Sequence, residues 1–238
     1  MRPGPVLPVL AAAALVWAGP AAGQQLAVDL GGEGSLSLAA VQLIALLTVL
    51  SLAPGIAITV TCFPFVVTVL SILRQAMGLQ ASPPNMLIVS LALFLTWFVM
   101  EPVATAAWEA GLGPLTRGEL SVDAALPAAL APFRAFMAAR VDAETLAHMA
   151  ALRPGADAGA WSVLVPSFLL SEISRAFQIG FLVFMPFLVI DMVAAAVLMS
   201  MGMMMVPPAI VSLPFKLAFF VVVDGWTLVS GALVRSYL

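Results

Sequence analysis

The chain has 238 residues, of which 63% are hydrophobic and 9% charged, with a mean hydropathy of +1.14. A globule of this length still needs a polar skin, so these values exclude a soluble enzyme, and so apolar a chain does not stay disordered. Nine basic residues against twelve acidic ones exclude a nucleic-acid binder, which leaves an integral membrane protein.

Residues 1–23 have the layout of a secretory signal peptide. Arg2 is followed by an apolar stretch from Val6 to Ala18 and a small-residue exit, Gly19-Pro20-Ala21-Ala22-Gly23, with cleavage expected after Gly23. A retained anchor is the alternative. Cleavage would start the mature chain outside the cytoplasmic membrane. Residues 24–37 then form a polar N-terminal segment.

Residues 38–103 read as a first apolar helical hairpin. Leu38 to Leu73 would be about 50 Å long as a helix at 1.5 Å per residue, more than the roughly 30 Å hydrocarbon core requires. Pro54-Gly55 is the expected interruption, giving one kinked helix or two short ones. A turn follows over Arg74 to Asn85, with Gly78, Pro83 and Pro84. The second arm runs from Met86 to Met100 and is expected to stop at Glu101-Pro102.

Residues 104–160 change character, carrying six acids and four arginines. Phe133, Phe136, Met137 and Val141 are spaced for one helical face, and Asp142 is placed to cap a helix that stops at Arg153-Pro154-Gly155. A small polar helical domain outside the bilayer is expected, on the periplasmic side if the N-terminus is outside. The first hairpin turn and the later Met-rich turn would then face the cytoplasm, in keeping with Arg74.

Residues 161–238 form a second apolar hairpin around Gly202-Met203-Met204-Met205-Val206-Pro207-Pro208. Glu172, Arg175, Asp191, Lys216 and Asp224 lie within its apolar runs. A charge at the bilayer centre costs on the order of 3 kcal/mol, so these residues pair, line a watery path or sit outside lipid. If the hairpin folds about residue 203 or 204, Asp191 and Lys216 lie at matched depth, as do Glu172 and Arg235. The competing reading is a proton or ion relay through Asp191 and Asp224. The three methionines likewise have two readings, ordinary packing or a soft constriction around an axis shared by several copies. One cysteine, Cys62, and one histidine, His148, offer no disulfide framework or metal pair. There is no HExxH, GxSxG or P-loop pattern, and neither cofactor nor metal is expected.

Several blocks resemble the FliP family. They are Arg74-Gln75-Ala76-Met77-Gly78-Leu79-Gln80, Pro83-Pro84-Asn85 and Leu91-Ala92-Leu93-Phe94-Leu95-Thr96, then Ser171-Glu172-Ile173, Ala176-Phe177-Gln178-Ile179-Gly180-Phe181 and Pro186-Phe187-Leu188-Val189-Ile190-Asp191. The longest runs from Val197 to Pro208, followed by Leu213-Pro214-Phe215-Lys216-Leu217 and Asp224-Gly225-Trp226. The resemblance covers the chain from about residue 40 to residue 238 and leaves 104–160 loose.

It implies an all-α membrane protein of two long kinked hairpins with a periplasmic helical insertion. It also implies a non-enzymatic subunit of the flagellar type III export gate in the bacterial inner membrane, lifted largely to the periplasmic side. Several copies would assemble with FliQ-like and FliR-like partners into a helical pore for unfolded export substrates, alongside FlhB-like and FlhA-like components. Met203, Met204 and Met205 carry over as a pore gasket, and Glu172, Asp191 and Lys216 as charged positions that hold copies together. The signal segment and Val206-Pro207-Pro208 resemble the flagellar branch, with the injectisome counterpart and a proton-coupled solute transporter as alternatives. The chain departs from many relatives in lacking a basic residue shortly after Phe63. It reads Cys62-Phe63-Pro64-Phe65 there, with Pro64 expected to kink a helix interior.

Overall fold

The computed structural model describes residues 35–79, 83–155, 157–203 and 205–237. The signal segment, its cleavage position at Gly23 and Met204 of the methionine turn lie outside the described residues. In chain order the helices are α1 (Ser35–Thr59), α2 (Phe63–Ala76), α3 (Asn85–Ala107), a π-helical turn (Trp108–Leu112) and α4 (Gly113–Thr116). They continue with α5 (Val122–Ala138), α6 (Ala143–Ala151), α7 (Trp161–Ser200), α8 (Pro208–Val222) and α9 (Gly225–Arg235). No strand occurs among the described residues, and the protein is an all-α membrane protein.

Among the described residues, three stretches are long and apolar enough to cross a membrane: Ala40–Thr59, Asn85–Thr116 and Trp161–Ser200. Two further helix pairs pass the same test only as bent units, Val122–Ala138 with Ala143–Ala151 at 113° and Pro208–Val222 with Gly225–Arg235 at 62°. The chain divides into two compact units, Met1–Leu52 and Ala53–Leu238. The described part of the first is helical from Ser35, and the core described below belongs wholly to the second.

Prolines act here by position. Of the two alternatives at Pro54-Gly55, α1 runs through Pro54 to Thr59 as one helix, and the break in the apolar run falls later, over Val60 to Cys62. Pro64 falls in the first turn of α2, where the missing N–H has no intrahelical partner to lose and the fixed φ favours helix entry. The expected kink at Pro64 is therefore a helix start. Pro102 does not end α3, which continues through it to Ala107; apolar spans tolerate an interior proline when neighbouring groups compensate.

The core is organised by α2. Cys62, Phe65, Val66, Val69, Leu70 and Leu73 are buried at the i, i+3, i+4 spacing of a single stripe. That stripe faces α7, in the most extensive helix contact among the described residues. Ala92 and Met100 of α3, Ala176 and Phe187 of α7, Phe220 of α8 and Leu233 of α9 belong to the same cluster. The α2–α7 approach is close because Gly180 has no side chain: a Cβ there would lie 2.4 Å from Ile72 Cδ1. A smaller cluster of Met137, Leu164 and Phe168, with Phe136 and Val141 against it, seats the end of α5 on the first turns of α7.

Candidate functional site

The chemistry-bearing side chains gather on α7, which has 40 residues and a length of about 60 Å at 1.5 Å per residue. Glu172 lies near its start and Asp191 in its later half, about 28 Å apart along the axis.

Asp191 meets α8. Lys216 Nζ lies 2.5 Å from Asp191 Oδ2, and Ser212 Oγ, one turn before Lys216 on the same face, donates to Asp191 Oδ1 at 2.5 Å. Lys216 Nζ also donates to the Ala76 carbonyl at 3.0 Å. Ala76 is the last residue of α2, so the ammonium satisfies a carbonyl with no intrahelical donor and opposes the negative end of the helix dipole. One lysine thus joins the end of α2, the later half of α7 and the face of α8. Its side chain is only 6% exposed, against 37% for Asp191. The cost of burying the ammonium is offset by a charge-assisted bond and a carbonyl acceptor.

Glu172 meets a different set of partners. Its Oε1 lies 3.7 Å from Arg140 Nε, with the glutamate side chain 1% exposed and the arginine 14%. Those two facing atoms have no hydrogen-bond partner. The remaining bonds run to the segment after α9: Tyr237 Oη donates to Glu172 Oε2, and Arg140 Nη2 donates to the Ser236 carbonyl at 2.6 Å. The guanidinium carbon lies 3.8 Å from the Tyr237 ring centroid, within cation–π range. Arg235, the partner expected from matched depth, does not reach Glu172 and is exposed. The 62° bend between α8 and α9 breaks the straight-hairpin arithmetic. Asp224 sits at that bend, exposed, with a left-handed φ of 49°.

Beside Arg140, Asp142 caps α6. Its Oδ2 accepts from Thr145 N at 2.8 Å and Thr145 Oγ1 at 2.9 Å, and its own N–H donates to Ser171 Oγ on α7 at 3.0 Å. The backbone N–H of Thr145, followed by its hydroxyl, holds the Asp142 carboxyl below its usual range. His148 is exposed in the last turn of α6. Among the described residues, no group of three His, Cys, Asp or Glu side chains could hold a metal ion.

The methionine turn has a defined backbone. Gly202 N donates to Met199 O at 3.1 Å, and Met203 N to Leu198 O at 3.0 Å. With Gly202 at φ +73°, this is a Schellman ending of α7. Met203 is 40% exposed and Met205 97%, and α8 restarts at Pro208. Below the turn, α7 and α8 flank an open cavity of about 580 Å³ lined by Val193, Val197, Met201, Met203, Val211 and Phe215. The other end of the first hairpin is closed by Arg74, which donates to Asn85 Oδ1.

The structure thus brings Asp191 and Lys216 together and puts Glu172 in a separate pocket. Sequence reasoning did not single out Arg140, Ser212 or Tyr237 as site residues. Tyr237 is the only tyrosine of the chain, which was the available signal for it.

The FliP family model matches residues 46–233. A flagellar biosynthetic protein FliP of Caulobacter vibrioides is 49% identical over 245 residues, covering 100% of this chain and 92% of the relative. One from Agrobacterium fabrum is 46% identical over 86% of each chain. Another, from Bacillus subtilis, is 45% identical over 83% of this chain and 91% of the relative.

Proposed function

The chain belongs to the FliP family of flagellar biosynthetic proteins, and from that premise we propose that it is a core, non-enzymatic subunit of the flagellar type III export gate. In this reading several copies, with FliQ-like and FliR-like partners, surround a pore for unfolded flagellar proteins. FlhB-like and FlhA-like components work beside it. The subunit sits in the inner membrane and stands largely on its periplasmic side, with 104–160 facing the periplasm and 1–23 acting as the export signal.

One observation carries this reading. At about 60 Å, α7 is roughly twice the hydrocarbon thickness, yet it exposes large apolar side chains from Leu170 and Phe177 to Val197 and Met199. Lipid can cover only about two-thirds of that exposed stretch, which is about 45 Å long. The remainder needs protein, and copies of the same subunit set side by side supply it. Apolar faces of this extent mark interaction surfaces.

In the same reading Met203, Met204 and Met205 form the gasket. A flexible, polarizable thioether seals an irregular opening and yields when a chain passes. Glu172, Asp191 and Lys216 hold the framework that sets neighbouring copies. Replacing all three methionines with alanine in the assembled gate is expected to raise resting conductance to small ions while leaving the mass of the complex unchanged. Unchanged conductance in an intact complex would remove the gasket assignment.

A further inference from the structure

The Arg140–Glu172 pair is held less by its two members than by what lies over them. Their facing atoms stand 3.7 Å apart, and neither is hydrogen-bonded. Three contacts come instead from two consecutive residues after α9. The Ser236 carbonyl accepts from Arg140 at 2.6 Å, the Tyr237 hydroxyl donates to Glu172, and the Tyr237 ring lies under the guanidinium at 3.8 Å. The same ring packs edge-on against Phe65 of α2, centroids 5.4 Å apart, and stacks on Phe136 of α5 at 6.1 Å and 16°.

We propose that Ser236 and Tyr237 form a strap over the buried Arg140–Glu172 pair, with Tyr237 the positioning residue that holds the Glu172 carboxylate. The strap fastens the polar insertion, through α5, to the second hairpin, through α7 and α9, so that the two move as one body. Its physical basis is the cost of an unsatisfied charge. A carboxylate 1% exposed, with one oxygen already unpartnered, has, among the described residues, only the phenol as hydrogen-bond donor. Losing that donor leaves a buried anion with no hydrogen bond at all, which is far more costly than losing a neutral contact. The corner then opens. The strap stands apart from the export-gate reading, since all its contacts lie within one chain.

Cys62 supplies a native reporter. It is the only cysteine, fully buried in the cluster that Tyr237 packs against, and one turn before Phe65. The labelling rate of Cys62 by a small maleimide is measured on the full chain in its native membrane complex. Tyr237→Phe keeps every ring contact and removes only the hydroxyl. It is expected to speed labelling about tenfold, the equivalent of one lost hydrogen bond to a charge, with helical circular dichroism unchanged. In a Glu172→Gln background, where the side chain no longer carries a charge that needs the phenol, Tyr237→Phe is expected to add less than about twofold. Wild-type labelling in Tyr237→Phe overturns the proposal. So does an undiminished factor in the Glu172→Gln background. Loss of overall helicity in Tyr237→Phe overturns it as well, because a strap secures one corner and not the whole fold.

Discussion

At the scale of single residues, the Asp191–Lys216 pair is asymmetric, and this asymmetry is testable. Asp191→Asn leaves the ammonium of Lys216, 6% exposed, with Ala76 O as its remaining close acceptor. An uncompensated buried charge costs about 3–5 kcal/mol. Lys216→Met leaves a carboxylate that is 37% exposed, still accepts from Ser212 and can recruit water, so about 1–3 kcal/mol is expected. Unfolding midpoints in mixed micelles should rank wild type above Lys216→Met and Lys216→Met above Asp191→Asn; the reverse order of the two variants would show that Asp191 is the more deeply desolvated partner. Asp191 and Lys216 were legible in the sequence as opposite charges at equal distance from a turn. Arg140 and Tyr237 were not, because they reach Glu172 from distant parts of the chain and only tertiary packing brings them there.

At the scale of elements, the helices themselves were legible from apolar run length, and the hairpin turns from glycine and proline clusters. Helix ends were less so, because proline's effect depends on position within the helix. Pro54 and Pro102 lie inside continuous helices, whereas Pro64 opens one. Nor does composition reveal that α2, only 14 residues long, is the organising core element. Its contact with α7 depends on Gly180. Gly180→Ala would force Ile72 aside and is expected to cost about 1–3 kcal/mol by overpacking. Ile72→Ala in the same chain should recover part of that loss, and a double-mutant cycle on unfolding midpoints would reveal the coupling. The α6 cap gives a pH prediction. Thr145 holds the Asp142 carboxyl below its usual range, so the cap is fully present above the ordinary carboxylate pKa and fades as pH falls through the lowered value. Hydrogen exchange at the Thr145 amide should therefore stay slow through mildly acidic pH and lose protection only below the usual carboxylate range. Asp142→Ala should abolish that dependence.

At the scale of the whole molecule, the balance between buried and exposed apolar surface is unlike that of a self-sufficient bundle. Phe94, Trp97, Phe181, Leu182, Val221 and Val222 are all exposed, on three different helices. A chain purified alone in mild detergent is expected to sediment as a multimer rather than as a monodisperse monomer; a stable monomer at micromolar concentration would show that detergent suffices to cover these faces. The composition indicated a membrane protein, but not how its apolar surface is divided. That division follows from helix length set against bilayer thickness, and from which faces of α3, α7 and α8 stay uncovered.

The unbroken length of α7 has a consequence for how the protein can vary. Because one continuous helix carries both Glu172 and Asp191, with Pro186 accommodated between them, it acts as a ruler that fixes their spacing and their relative azimuth. Inserting one residue between them would turn everything beyond it by about 100°, swinging Asp191 away from Lys216 while Glu172 stayed in place. Substitutions along α7 alter one contact at a time, whereas a single insertion or deletion throws the two sites out of phase. The distance between its charges is therefore a property the helix can change only by whole turns.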